Sequence, residues 1–481
     1  MIGIWHYPQG FFFIHFLLDE HTNIPVNSKV AKQNSSSMDG SDSSDSSRSG
    51  KKRRDLELEH LVFAPHEEEQ KGQKRNSYQT ELIVDRPRGR ASGGHGEFGE
   101  PGSATPKQVV VNIFISFVGS GMLGMPYAFS QSGWLLGVVA LGTMSALNVY
   151  AMLLLIKTRR HLESKGHTGI DGYGDVGRVL SGARGERFVN ICLVISQVGF
   201  ATAYIIFIAA NINNIAGIDR AYICFGCVPI LALLVQIQDL KDLSPFSLIA
   251  DVANIAGLTA VMCQDWKAYH DFHQPVLTHD FSKVIYVSAV TLYSLEGIGM
   301  VLPIESSCAN PKRFPSLLTK TLIAVASLMA VFGCCGYFAF GSLTEAPITL
   351  NLDGGVATIV KLALCLGLYL TFPIMLFPVN EVLEDLILGE GSRGNKTFRA
   401  CVVVISAVIA WLIPDFGQFL SLVGASICTI LGLILPCYFH LQAFERSELK
   451  WWELMLDWFL IGFGIAFGIL GTYQSFVSLL A

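Results

Sequence analysis

Two stretches decide how this chain is read: Gly119-Ser120-Gly121-Met122-Leu123-Gly124-Met125-Pro126, and Gly297-Ile298-Gly299-Met300-Val301-Leu302-Pro303. Both have the form G-x-G-M followed by a proline, and each sits in the middle of a long apolar run. A glycine in a helix interior costs about 1 kcal/mol relative to alanine and a proline about 3 kcal/mol. Neither run is therefore expected to stay a continuous helix, and the second half of the first run is predicted to begin near Met122. Backbone groups freed by a break are tolerable inside a membrane only where they line a cavity and meet a polar ligand. Paired glycines also permit close helix packing. Two matched, Gly/Pro-interrupted runs in one chain point further, to a transporter built from an inverted repeat with its site at the breaks.

Composition supports a membrane setting. Of 481 residues 51% are hydrophobic and 15% charged, and the mean hydropathy is +0.45. A soluble domain carries about a quarter of its residues as charges. Residues 1–106 hold 28 of the 73 charges, which leaves 45, or 12%, in the other 375 residues. These values exclude an ordinary soluble enzyme and a single-anchor protein. A net charge of −5 and a pI near 6.2 give no reason to expect a nucleic-acid partner. No GxxxxGK[ST] loop for primary pumping and no catalytic constellation is present, so no enzyme activity and no cofactor are expected. A channel is disfavoured because no filter segment repeats. The cysteines lie mostly in apolar runs, where a thiol acts as a small hydrophobe. Cys224 and Cys227 form an isolated CxxC without a second ligand pair, so no metal site is expected.

The chain divides into two regions. Residues 1–106 are predicted to be a disordered cytosolic tail, with Ser/Asp-rich sequence at 35–49, a basic quartet Lys51-Lys52-Arg53-Arg54 and an acidic stretch near Glu67–Glu69. Its apolar opening run at 11–18 is too short to span and lacks a preceding basic region, which argues against a cleaved signal peptide. The tail leaves room for trafficking or regulatory partners. Residues 107–481 form the membrane domain, embedded in the lipid bilayer. Apolar stretches of the required length, about twenty residues, run at 108–131, 134–156, 188–216, 221–238, 244–264, 284–304, 315–341, 355–380, 398–412, 416–440 and 453–479. That predicts eleven spans. With the N-terminus in the cytosol, sixteen Lys/Arg fall in cytosolic loops and three on the other side, as the positive-inside rule requires. The triplets at Asn34 and Asn395 then lie on the cytosolic side, where no sugar is added.

The broken spans also indicate chemistry. A half-helix start presents free N–H donors and partial positive charge, a good seat for a carboxylate, and glycine lets a ligand approach the backbone. Glu296, one residue before Gly297, is the ionisable group singled out. A mid-membrane carboxyl costs about 2.5–3.5 kcal/mol and is expected to face a cavity, where it recognises an amino group, takes up a proton or hydrogen-bonds neighbouring backbone. Asp251 is a second proton-coupling candidate, nearer the cytosolic end of the fifth span. Glu305 is expected to cap or gate, His440 to lie at the interface, and Glu381, Glu384 and Asp385 to form a solvated face.

At these residues the chain resembles the amino acid/auxin permease family, in particular the branch of proton-coupled and vacuolar amino acid transporters. The matching segments are NIFISFVGSGMLGMPYAFSQSGW (112–134), SLEGIGMVLPIE (294–305), NPKRFPSLL (310–318), CCGYFAFG (334–341), ITLNL (348–352) and FPIMLFPVNEVLE (372–384). The resemblance implies an all-α protein of eleven spans with the leucine-transporter-type five-plus-five inverted repeat and broken first and sixth helices. It also implies a small amino acid bound between those helices and driven by protons, in a vacuolar, lysosomal or plasma membrane. Carried over, Gly119, Ser120 and Gly121 meet the substrate carboxylate, while Ser294, Glu296, Gly297 and Gly299 surround its amino group. Animal proton-coupled relatives carry a histidine where this chain has Asn112, which leaves Glu296, or the substrate itself, as proton carrier. Sodium-coupled relatives place an asparagine where Ile115 stands, which argues against sodium. A sensor of the same fold, signalling through the tail, is the alternative function.

Overall fold

A computed structural model of the chain describes residues 102–237, 240–268, 283–388 and 394–480. The tail expected at 1–106 falls almost wholly outside them. The first helix, α1 (Pro106–Phe117), starts on a capping box. Thr105 Oγ1 accepts from the Gln108 N–H at 3.4 Å, and Gln108 Oε1 accepts from the Thr105 N–H at 2.9 Å. Pro106 fills the first turn, where no N–H is needed. A 3₁₀ turn, Ser120–Gly124, leads into α2 (Met125–Ser132), and the two halves of the span are bent by 47°. Then follow α3 (Trp134–Ser164), α4 (Tyr173–Ala216), α5 (Arg220–Leu234) and α6 (Leu240–Ala268). The second unit opens with α7 (Val284–Ser294) and α8 (Ile298–Ser307), the two halves of another interrupted span. It continues with α9 (Phe314–Phe340), α10 (Gly355–Leu383), α11 (Lys396–Leu412), α12 (Phe416–Val423) and α13 (Leu435–Ala443). Two π-helical stretches, Gly424–Cys428 and Ile430–Ile434, join α12 to α13, and α14 (Trp451–Leu480) closes the chain.

The packing has the exchange symmetry of an inverted repeat. The second span of each unit packs on the broken first span of the other: α9 lies against α1 and α2, and α3 lies against α7. The third span of each unit packs on the last span of the other, α10 against α6 and α4 against α12. The two third spans, α4 and α10, also pack on each other. A chain of two equivalent five-span units produces this pattern without any further assumption. The all-α polytopic fold with broken first and sixth spans is therefore observed.

The count of eleven is not reached by length and composition. Among the described residues seven helices are long and apolar enough to cross a membrane, or eight if the bent pair α1–α2 is one span. The other three expected spans fall on α5, the Ile249–Gln264 part of α6, and α11, which are shorter or carry charge at their ends. The third span also starts earlier than expected, at Tyr173 rather than 188. Arg178, Arg184 and Arg187 made that stretch read as loop. Asp175 nevertheless accepts from the N–H groups of Asp171 and Gly172 at 3.1 and 2.9 Å, which caps the helix. Gly182, at φ +67°, takes the kink in the left-handed region that a residue with a Cβ avoids.

One expectation about a charged group fails, because hydropathy sees a charge but not its partner. Glu384, expected on a solvated face, is fully buried, and its Oε1 accepts from Arg399 Nε at 2.8 Å. Burial alone would push its carboxyl up, but the Arg399 guanidinium and the Gly394 N–H outweigh that and hold it below the usual carboxylate range. A depressed carboxyl contributes stability above its unfolded value and loses it as pH falls through the folded one, so this contribution is complete at neutral pH and disappears in acid. Arg399→Ala strands a buried carboxylate and is expected to cost about 3–5 kcal/mol. The check is thermal unfolding of the detergent-purified protein; an unchanged midpoint would mean the pair contributes nothing. His440, near the end of the tenth span, is fully buried under α14, and its Nδ1 lies 2.7 Å from Asp457 Oδ2.

Candidate functional site

The two breaks face each other. In the first, Val118 and Gly119 are extended, and the helical path resumes only with the 3₁₀ turn at Ser120. The true α-helical start is Met125, three residues beyond the expected position, because the glycine-rich turn winds more tightly than an α-helix. In the second, the chain leaves the helix at Leu295 and re-enters it at Ile298, so the interruption covers Leu295, Glu296 and Gly297. Pro126 and Pro303 lie inside α2 and α8 rather than at the breaks.

The glycines are explained by contact. A Cβ on Gly121 would lie 2.5 Å from Ser294 Oγ and 2.9 Å from Ser294 Cα, so this glycine lets the last turn of α7 touch the 3₁₀ turn. A Cβ on Gly297 would lie 2.6 Å from Cζ of Phe117, the last residue of α1, and one on Gly299 would meet Leu193 Cδ2 at 3.0 Å. Gly119 differs. A Cβ there would meet nothing within 4 Å, so open space adjoins its backbone. Ser120 and Gly121 follow it at the start of the 3₁₀ turn, where the first N–H groups of a helix have no intrahelical acceptor.

One group here escaped the sequence reading. The hydroxyl of Tyr293 is buried, and the polar side chain beside it is Ser120, at the edge of the first break. Its ring is held edge-on to Phe200, with centroids 4.8 Å apart. A tyrosine hydroxyl both donates and accepts, so one beside Ser120 can still make a further hydrogen bond to a ligand or water at the break. Its position next to Ser294 in a quoted segment was the available signal.

The acidic candidates separate. Glu296 is half-buried, and the residues that surround its carboxyl come from α3, α4 and the π-helical stretches: Asn148, Tyr173, Cys428 and Gly432. Asp251 is not remote from the site. It lines a cavity of about 10 Å³ with Asn254, Phe114, Ile115 and Val118, at the last turn of α1 and the edge of the first break. Glu305 is buried and held by both Arg159 and Arg160, with Arg160 Nη2 2.6 Å and Arg159 Nη1 3.3 Å from its carboxyl oxygens. That pairing gives Glu305 no free carboxylate; it lies in the last turn of α8, where the open backbone groups are carbonyls, so it is Arg159, through Nη1 and the Leu302 carbonyl at 3.5 Å, that reaches the helix end. Among the described residues no group of three or more His, Cys, Asp or Glu side chains is placed to hold a metal ion. A larger cleft of about 470 Å³ between α4, α5 and α10 is lined by Ile208, Tyr222, Cys227, Leu362 and Tyr369, among others, and touches neither break. Its apolar lining suits lipid tails.

Comparison with known proteins agrees with this geometry. The sequence model of the family described as "Transmembrane amino acid transporter protein" matches residues 102–477. "Amino acid transporter AVT3A" of Arabidopsis thaliana is 38% identical over 385 residues, covering 78% of this chain and 89% of the relative. "Vacuolar amino acid transporter 3" of Saccharomyces cerevisiae is 28% identical over 399 residues, covering 78% of this chain and 56% of that longer protein. Among solved structures, the inward-facing conformation of Mhp1 overlays 78% of this chain and 90% of its own with a TM-score of 0.53 at 11% identity, which identifies the leucine-transporter-type fold alone.

Proposed function

The chain belongs to the transmembrane amino acid transporter family, and from that premise we propose that it is a secondary active carrier. It moves small amino acids, coupled to protons, by alternating access around the two facing breaks. The observation that carries this reading is the open space beside the Gly119 backbone, at the Gly121–Ser294 contact where Ser120 and the Tyr293 hydroxyl meet. In this reading the N–H groups from Gly119 to Gly121 receive the substrate carboxylate, as the start of a helix favours. The carbonyl end of α7, around Ser294, receives the ammonium group, with the negative end of the helix dipole behind it. Glu296 and Asp251 remain the residues for the proton, the first within the second break and the second at the edge of the first.

The relatives named as vacuolar support an acidic organelle as the working membrane. With residues 1–106 as a cytosolic tail and 107–481 as the carrier domain, protons leaving that organelle would carry amino acids into the cytosol. The test is flux in proteoliposomes holding the full-length protein, with an imposed pH gradient, no sodium, and small neutral amino acids supplied one at a time. Accumulation that collapses with the gradient is the expected result. Saturable binding without flux under any gradient would overturn it in favour of a sensor.

A further inference from the structure

Behind the second break lies an arrangement that the substrate site does not use. Asn148, in α3 and 3% exposed, donates from Nδ2 to the Leu295 carbonyl at 2.7 Å. A continuous helix would have given that carbonyl to the Gly299 N–H, so Asn148 satisfies an acceptor that the break sets free. A carbonyl only accepts, so the NH₂ of the amide must point at Leu295 and Oδ1 must point the other way. Oδ1 is buried and makes no hydrogen bond. It faces the gap over Gly432, where a Cβ would stand 3.4 Å from Asn148 Oδ1 and 3.5 Å from Glu296 Oε2. Two oxygens that both accept thus border one gap, and the Glu296 carboxyl also accepts from the Ile298 N–H. Tyr173 of α4 and Cys428 of the π-helical stretch are the titratable groups that face Glu296 there. The Tyr173 hydroxyl is already donated to the Leu431 carbonyl at 3.0 Å.

We propose that Asn148 is the positioning residue of the proton site: a proton carried by Glu296 is donated to Asn148 Oδ1, and the other end of the same amide holds the break through the Leu295 carbonyl. This rests on the proton-coupled reading above and deepens it. Loss of the proton leaves two acceptors facing each other, which favours relocation of one of them. The one that can move is Glu296, on the non-helical link between α7 and α8. Asn148 therefore ties the protonation state of Glu296 to the conformation of the sixth span.

The experiment compares full-length wild type, Asn148→Asp, Asn148→Ser, Glu296→Gln and the Asn148→Asp/Glu296→Gln double variant in proteoliposomes. The probe is an equimolar mixture of radiolabelled glycine, alanine, serine and proline, and initial uptake is measured across a series of pH values. A second carboxyl beside Glu296 disfavours joint ionisation. Asn148→Asp should move the midpoint of the uptake profile up by about one unit or more, and that movement should vanish in the Glu296→Gln background. Asn148→Ser, which keeps the fold if the larger change does not, should lower the maximal rate about tenfold with KM unchanged, since it frees the Leu295 carbonyl without touching substrate. A folded Asn148→Asp or Asn148→Ser protein with the wild-type profile and rate would overturn the proposal while leaving coupled transport standing. A pH-independent wild type would overturn the coupled reading itself, and this proposal with it.

Discussion

Amino acid uptake by Gly121→Val is expected to fall about tenfold to a hundredfold, with the protein still folded. The first Cβ atom already lies 2.5 Å from Ser294 Oγ and 2.9 Å from Ser294 Cα and Cβ. One of those three atoms belongs to the backbone, which cannot turn aside as a flexible side chain would. Overpacking of this kind costs about 1–3 kcal/mol, and every 1.4 kcal/mol corresponds to about a factor of ten. The contact closes the two breaks against each other, so its loss is felt where the substrate is proposed to sit. Gly119→Ala supplies the contrast. Its Cβ meets nothing within 4 Å, so the unfilled protein should be as stable as wild type. The added methyl would occupy the space proposed for the substrate, and KM should rise while thermal stability stays put. Saturation kinetics and thermal unfolding of both variants check the pair. Normal transport in Gly121→Val would place the site elsewhere in the bundle.

Much of the fold was legible because its strongest signals are local. Glycine and proline penalties are paid within one span, and the match between 119–126 and 297–303 could be read without knowing any contact. What remained hidden depends on partners far apart in the chain. Asn148 meets Leu295 across 147 residues, Tyr173 meets Leu431 across 258, and Arg399 meets Glu384, which had read as part of a solvated face, across 15. Hydropathy reports how apolar a window is, not which side chain across the bundle answers a polar one. The break edges were misplaced for a related reason. Glycine and proline mark where a helix is weak, but packing of Phe117 on Gly297 and of Ser294 on Gly121 decides where it parts. Asp251 looked peripheral along its own span, and only the approach of α6 to the last turn of α1 brings it to the first break.

Glu296→Gln is expected to abolish gradient-driven accumulation while leaving exchange of amino acid across the membrane intact. Glutamine has the shape of the protonated carboxyl and, like it, offers a donor, so it suits the gap bordered by Asn148 Oδ1 without a clash. It cannot release a proton. A carrier coupled to one proton can concentrate its substrate up to about tenfold per pH unit, since one unit corresponds to 1.36 kcal/mol. The variant should therefore equilibrate its substrate to a ratio of about one whatever the gradient, a loss of up to tenfold per unit imposed. Counterflow separates this from misfolding: labelled substrate outside should still exchange with unlabelled substrate inside at a rate near wild type. Failure of both readouts would indicate damage to the substrate site. Accumulation undiminished beside normal exchange would remove Glu296 from the coupling step and leave Asp251 to carry it. In that event Asp251→Asn, at the edge of the opposite break, should show the loss instead.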